Sequence, residues 1–203
     1  MIVANWKCNG SKAMINEWTN NFLTNYVEMK KAFIGIAPPS IYIESILDTK
    51  LSKFEEINIG SQDIDISSGA RTGAISSEMI LDFDCKFSII GHSERRQFFN
   101  EKNDEIKQKI LKIANKTLTI LCVGETEEEK KNDQTKDVLK RQLEVIKDIE
   151  FNDSLVIAYE PVWAIGTGNT PTPDKINEIH KFIKDVVQSL SLIHISEPTR
   201  PLH

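Results

Sequence analysis

Cysteine is scarce in this chain. Its three residues, Cys8, Cys85 and Cys122, are odd in number and far apart in a sequence of 203. That pattern offers no disulfide framework and no Cys-x-x-Cys motif, and it suits free thiols in a reducing compartment, so a cytoplasmic protein is expected. Long hydrophobic runs are also missing. No apolar stretch nears the roughly 20 residues of a membrane-crossing helix, and the mean hydropathy is −0.30. Met1 to Lys7 show no cationic segment followed by a long apolar one, so no secretory signal is read there. Basic charge is not in excess: 25 Lys+Arg stand against 30 Asp+Glu, a net charge of −5 with pI ≈ 5.5, and a nucleic-acid surface is not expected. The nine glycines form neither a G-x-G-x-x-G turn nor a Walker loop. His92, His180, His194 and His203 lack any paired spacing with cysteines or carboxylates, so no metal site is expected. What is there is 40% apolar residues, ample for one sizeable core.

Short β-branched runs begin near residues 2, 33, 57, 87, 118 and 155. Continuous apolar runs of this length suit strands buried on both faces, as in parallel sheets. Helical spacing lies between them. Ser11 can cap a helix carrying Met14, Trp18, Phe22 and Tyr26; Asp104 opens Ile106, Ile110 and Ile113; Thr172-Pro173-Asp174 precedes Ile176, Ile179, Ile183 and Val187. Strand followed by helix without a break predicts an α/β protein. The runs recur about every 31 residues, and eight such units would need about 248, close to an eightfold β/α barrel. Six units are present, so the expected fold is an incomplete (β/α)8 barrel over residues 1–190, with no interdomain linker.

In such a barrel, chemistry sits where strands end. The first strand runs into Asn5-Trp6-Lys7-Cys8-Asn9-Gly10, the fourth into Gly91-His92-Ser93-Glu94-Arg95-Arg96, and the sixth into Glu160-Pro161-Val162-Trp163-Ala164-Ile165-Gly166-Thr167-Gly168. Taken singly, Lys7 reads as a surface charge, His92 as a hydrogen-bonded structural residue and Glu160 as the point where the chain leaves the sheet. Taken together at one barrel mouth, a carboxylate, an imidazole and a cation suit removal of a proton α to a carbonyl.

These motifs, with Cys122-Val123-Gly124-Glu125, Gln62, Thr72-Gly73 and Ile75-Ser76 in the same order, closely resemble the triosephosphate isomerase family from Met1 to about Ser189. The resemblance implies an isomerase of glycolysis and gluconeogenesis. It would interconvert dihydroxyacetone phosphate and D-glyceraldehyde 3-phosphate through an enediolate. Glu160 would be the base, His92 the neutral electrophile, Lys7 the electrostatic stabiliser and Asn5 an orienting group; this family is itself the reference case for such a pairing. It also implies a lid from Pro161 to about Gly168, with the Gly166 N–H offered to phosphate and Glu125, Tyr159 and Trp163 as hinge and latch. Glu94 would hold Lys7. Gln62, Thr72 and Arg95 match the interface of a homodimer.

Two departures stand out. The family usually carries an acid after the Thr-Gly pair, facing the first arginine of the His-Ser-Glu-Arg motif across the dimer; Ala74 stands there, so Arg95 is expected to lack that partner. Ser191 to His203 do not resemble the family's seventh and eighth units, with their phosphate-binding glycines. They are read as a non-family tail in which Leu192-Ile193-His194-Ile195 could pose as a seventh strand. The alternative function is therefore a catalytically inactive barrel fragment lacking the phosphate-binding loops, and the chain alone is expected to show little activity and a broad melt.

Overall fold

The computed structural model describes residues 1–27, 32–165 and 170–191. Six strands form one parallel sheet in the order in which they occur in the chain: β1 (Ile2–Asn5), β2 (Ile34–Ala37), β3 (Ile57–Ser61), β4 (Phe87–Ile90), β5 (Leu118–Val123) and β6 (Leu155–Tyr159). The starts agree with the sequence periodicity to within a residue. Register runs across the sheet as Ile2 beside Ile34, Ile34 beside Ile57, and Ile90 beside Leu121. One expectation needs correcting. Apolar runs buried on both faces describe β4 and β5, but β1 leaves Ile2 62% exposed. Among the described residues β1 and β6 end the sheet order, so each has a strand neighbour on one side only.

The helices are α1 (Lys12–Asn25), α2 (Ile43–Leu47), α3 (Ser77–Asp82), α4 (Ser93–Phe98), α5 (Asn103–Ile113), α6 (Glu127–Lys131), α7 (Thr135–Leu143) and α8 (Pro173–Ser191). Ser11 caps α1 by accepting the Met14 N–H at 3.1 Å. The predicted face of α1 forms, with Trp18 stacked on Phe22 at 5.1 Å and Phe22 on Tyr26 at 4.8 Å, as the i, i+4 spacing requires. Helix α5 begins one residue before Asp104, and the Lys102 N–H is held by Glu105 at 3.0 Å. Thr172 accepts the Lys175 N–H at 3.4 Å at the start of α8.

The chain divides into two compact units. The first comprises Met1–Cys122 and Phe151–Ile157. Its core includes Ile15, Ile36, Ile46, Phe87, Ile90, Ile106, Ile110 and Leu121, each buried to 1% exposure or less. Phe87 fixes its neighbours: a Cβ at Gly60 would lie 2.6 Å from its ring and 2.5 Å from its carbonyl oxygen, so a glycine is required where β3 passes it. The second unit comprises Val123–Glu150 and Ala158–His203. Val138, Leu139 and Leu143 of α7 and Ile179 and Ile183 of α8 are buried within it, and Lys136 joins Glu178 at 2.8 Å. Of the expected tail, residues 191–203, Ser191 ends α8 and the rest, including the possible seventh strand, lies outside the described residues.

Candidate active site

Within the first unit, Asn5, Lys7, Gln62, His92, Glu94 and Arg95 line an open cleft of about 340 Å³. Lys7 follows β1 in a left-handed backbone conformation, φ 52°, uncommon for a residue with a side chain. Its N–H donates to Asn5 Oδ1 at 2.9 Å, and its Nζ donates to Glu94 Oε1 at 2.8 Å. Glu94 therefore holds Lys7. Both side chains are 38% exposed, so the pair contributes orientation more than stability.

His92 ends the turn after β4 and caps α4. Its Nδ1 accepts the Glu94 N–H at 3.2 Å. Glu94 Oε2 lies 3.6 Å from the same nitrogen, too far for a hydrogen bond. An imidazole that accepts at Nδ1 carries its hydrogen on Nε2, the nitrogen from which it can donate.

Arg95 finds acidic partners within its own chain. Its Nε lies 2.9 Å from Asp63 Oδ2 and 3.0 Å from Glu101 Oε2, both in its own chain. Lys109 completes the cluster, 2.8 Å from Asp63 and 2.6 Å from Glu101. Lys109 and Glu101 are only 7% and 4% exposed. Burial pushes the Asp63 carboxyl up to about 6, against the pull of Lys109 and Arg95 and with the help of Glu101. Native Asp63 thus holds its proton more tightly than the unfolded chain does. Its stabilising contribution is fully present below about pH 4 and is lost as pH rises through about 6. Urea melts should show the stability of the chain, relative to Asp63→Asn, declining across that window; a difference independent of pH would contradict this.

The second unit carries the remaining candidates. Glu125 is 2% exposed. Tyr159 Oη donates toward both its carboxylate oxygens at 3.1 Å, and Trp163 Nε1 donates to Oε1 at 2.8 Å. Burial first, and then the Glu125 charge, raise the Tyr159 hydroxyl well above its ordinary range, so it stays a donor. The Lys130 ammonium sits 3.0 Å from the Trp163 ring centroid, a cation–π contact. Glu160 follows β6 directly and its N–H donates to Val123 O at 2.9 Å. Gly124 allows this approach, since a Cβ there would fall 1.9 Å from the Glu160 carbonyl oxygen. Gln142 of α7 braces Gly124 with two hydrogen bonds, 2.8 and 3.1 Å.

The structure thus brings Asn5, Lys7, His92 and Glu94 together in one unit, and Glu125, Tyr159 and Trp163 in the other, with Glu160 beside Val123. Thr72 is exposed on the segment after β3. Gly166 lies outside the described residues. Among the described residues there is no metal-binding cluster, no helix long and apolar enough to cross a membrane, and no disulfide. Asp63, Glu101, Lys109, Lys130 and Gln142 were not singled out from the sequence. For two of them a signal existed. Lys109 and Gln142 occupy positions on the apolar stripes of α5 and α7, beside Ile106, Ile110 and Ile113 and beside Val138, Leu139 and Leu143, where a polar residue must find a buried partner.

Comparison with known proteins agrees with this geometry. The family model described as triosephosphate isomerase matches residues 1–200. A triosephosphate isomerase of Klebsiella pneumoniae is 39% identical over 190 residues, which cover 91% of this chain and 74% of that relative. Triosephosphate isomerases of Salmonella paratyphi B and Salmonella newport show the same identity and coverage. A chain that carries the His92–Glu94–Lys7 arrangement and matches the family along nearly its whole length is a member of it: the chain belongs to the triosephosphate isomerase family.

Proposed function

We propose that this chain interconverts dihydroxyacetone phosphate and D-glyceraldehyde 3-phosphate by proton transfer through an enediolate, using neither metal nor cofactor. The observation that carries the reading is the pairing of a held lysine ammonium with an imidazole whose Nδ1 is engaged by the Glu94 N–H, both lining one cleft. A cavity of about 340 Å³ is at the small end of ligand sites, a size suited to a phosphorylated triose.

Removing a carbon-bound proton next to a carbonyl places negative charge on oxygen. A hydrogen-bond donor and a fixed positive charge lower that barrier because they are oriented before the charge develops. His92 Nε2–H donates to the carbonyl oxygen, Lys7 balances the enediolate, and Asn5 orients the substrate. Glu160 takes the proton from one carbon and returns it to the next, and the Gly166 N–H meets the phosphate. Family membership and the matching motif support the roles of Glu160 and Gly166.

The same reading makes the protein a cytoplasmic homodimer acting in glycolysis and gluconeogenesis, with Gln62, Thr72 and Arg95 near the interface. Phe99, 68% exposed, lines the cleft, and its chain neighbour Phe98 is 71% exposed; two such large apolar groups favour a covered surface. Trp163, held between Glu125 and Lys130, reports on ligand binding in the segment after Glu160. Its emission, taken as the difference between the chain and Trp163→Phe, should change when a phosphate-bearing substrate analogue saturates the protein. An unchanged difference spectrum would remove Trp163 from the site.

A coupled assay following glyceraldehyde phosphate formed from dihydroxyacetone phosphate tests the function itself. Saturable turnover supports it. No turnover at any substrate concentration would favour the non-catalytic alternative.

A further inference from the structure

Gln62, which the resemblance matches to an interface region, has partners within its own chain. Its Nε2 donates to the Lys7 carbonyl oxygen at 2.9 Å and to the Ala37 carbonyl oxygen at 2.8 Å. Both partners are acceptors, so the amide nitrogen must face them and both its hydrogens are used. The bond ties three strand ends: Ala37 closes β2, Lys7 follows β1 and Gln62 follows β3. Its own base is firm. Ser61, buried beside it, shares a hydroxyl hydrogen bond with Ser88 of β4 at 2.7 Å, and Asp63 on the other side is locked by Lys109.

Lys7 needs such a hold. Its left-handed φ of 52° is a conformation that persists in a residue with a side chain only where the surroundings impose it. Asn5 grips its N–H, Glu94 its ammonium and Gln62 its carbonyl. The Ala37 oxygen has a second donor in the Trp6 N–H at 3.0 Å, so losing the Gln62 amide falls mainly on Lys7.

We propose that Gln62 is a positioning residue, which pins the strained backbone of Lys7 and so sets where its ammonium stands in the cleft. The proposal rests on the isomerase reading above for its consequence, but not for its geometry.

Two variants and two readouts test it on the full chain. Gln62→Met keeps the side-chain length and removes the donor. Gln62→Glu keeps the shape and can donate one hydrogen only when protonated. In Gln62→Met the backbone ¹³C and ¹⁵N signals of Lys7 should leave their left-handed positions. kcat should fall about ten- to a hundredfold, as expected for a displaced catalytic group, with KM changing less. In a Lys7→Ala background the same substitution should cost no further activity, because it acts through Lys7. In Gln62→Glu the Lys7 signals should move with pH, toward those of the unsubstituted chain as pH falls. Lys7 signals unchanged in both variants, or a Gln62→Met loss undiminished in the Lys7→Ala background, would overturn the proposal and leave Gln62 a stability or interface residue. If the unsubstituted chain shows no turnover, the functional reading fails, and the Lys7 signals alone still decide this one.

Discussion

Glu160→Gln is expected to lower kcat about 10²–10⁴-fold while leaving the melting temperature and circular dichroism of the chain unchanged. The amide is nearly the same size as the carboxylate but cannot accept a proton from carbon, and general-base catalysis is worth about that much. The backbone contact that places this residue, Glu160 N–H to Val123 O, does not involve the side chain, so its geometry survives the substitution. Because the loss is confined to the proton-transfer step, KM should move far less than kcat. A variant retaining more than about half of the original kcat would exclude Glu160 as the base.

Lys109→Met should lower stability by about 3–5 kcal/mol. Lys109 lies in α5 and reaches two carboxylates, Asp63 and Glu101, at 2.8 and 2.6 Å. Methionine fills similar volume, so packing of the stem is kept and no large cavity opens. What is lost is the charge that allows two buried acids to stand together. Arg95 remains against both, but its side chain is 30% exposed, and a single guanidinium cannot replace the buried ammonium between them. Without the pull of Lys109, Asp63 would hold its proton more tightly still, so the deficit should shrink at low pH. Thermal or urea melts measure this directly. A loss below about 1 kcal/mol at neutral pH would show that the cluster tolerates its missing cation and that its burial contributes little.

The sequence already displayed the order of the sheet, because each buried strand needs an uninterrupted β-branched run and each helix needs its own cap and stripe. Ser11 and Thr172 act as the capping residues their positions suggested, and the six strand starts follow the period of the chain. Lys7, His92 and Glu160 were visible for a different reason: polar groups directly after apolar strands have little to do in packing, and the family resemblance added Asn5 and Glu94. The hidden part consists of partnerships. Nothing local in Asp63 or Glu101 tells that they share Lys109 and Arg95, since the four come from a segment after β3, a turn before α5, α5 itself and α4. Ala74 suggested an unpaired Arg95, and the in-chain acids that answer it could be found only in three dimensions. Gln62 was assigned to an interface by likeness of motif, and the hold of its amide on the Lys7 and Ala37 carbonyls could be found only in three dimensions. Lys109 and Gln142 could have been noticed as polar intruders on apolar stripes, although their partners could not have been named.

The central claim is that this chain removes a proton from the carbon next to the carbonyl of a phosphorylated triose, with Glu160 as the base. The most direct measurement is proton NMR of dihydroxyacetone phosphate incubated with the chain in D₂O. Prolonged incubation accumulates label even when turnover is slow. Deuterium should enter the carbon-bound positions of the triose phosphates with the unsubstituted chain and be strongly reduced with Glu160→Gln. Absence of deuterium with both proteins, or equal labelling by both, would contradict the account.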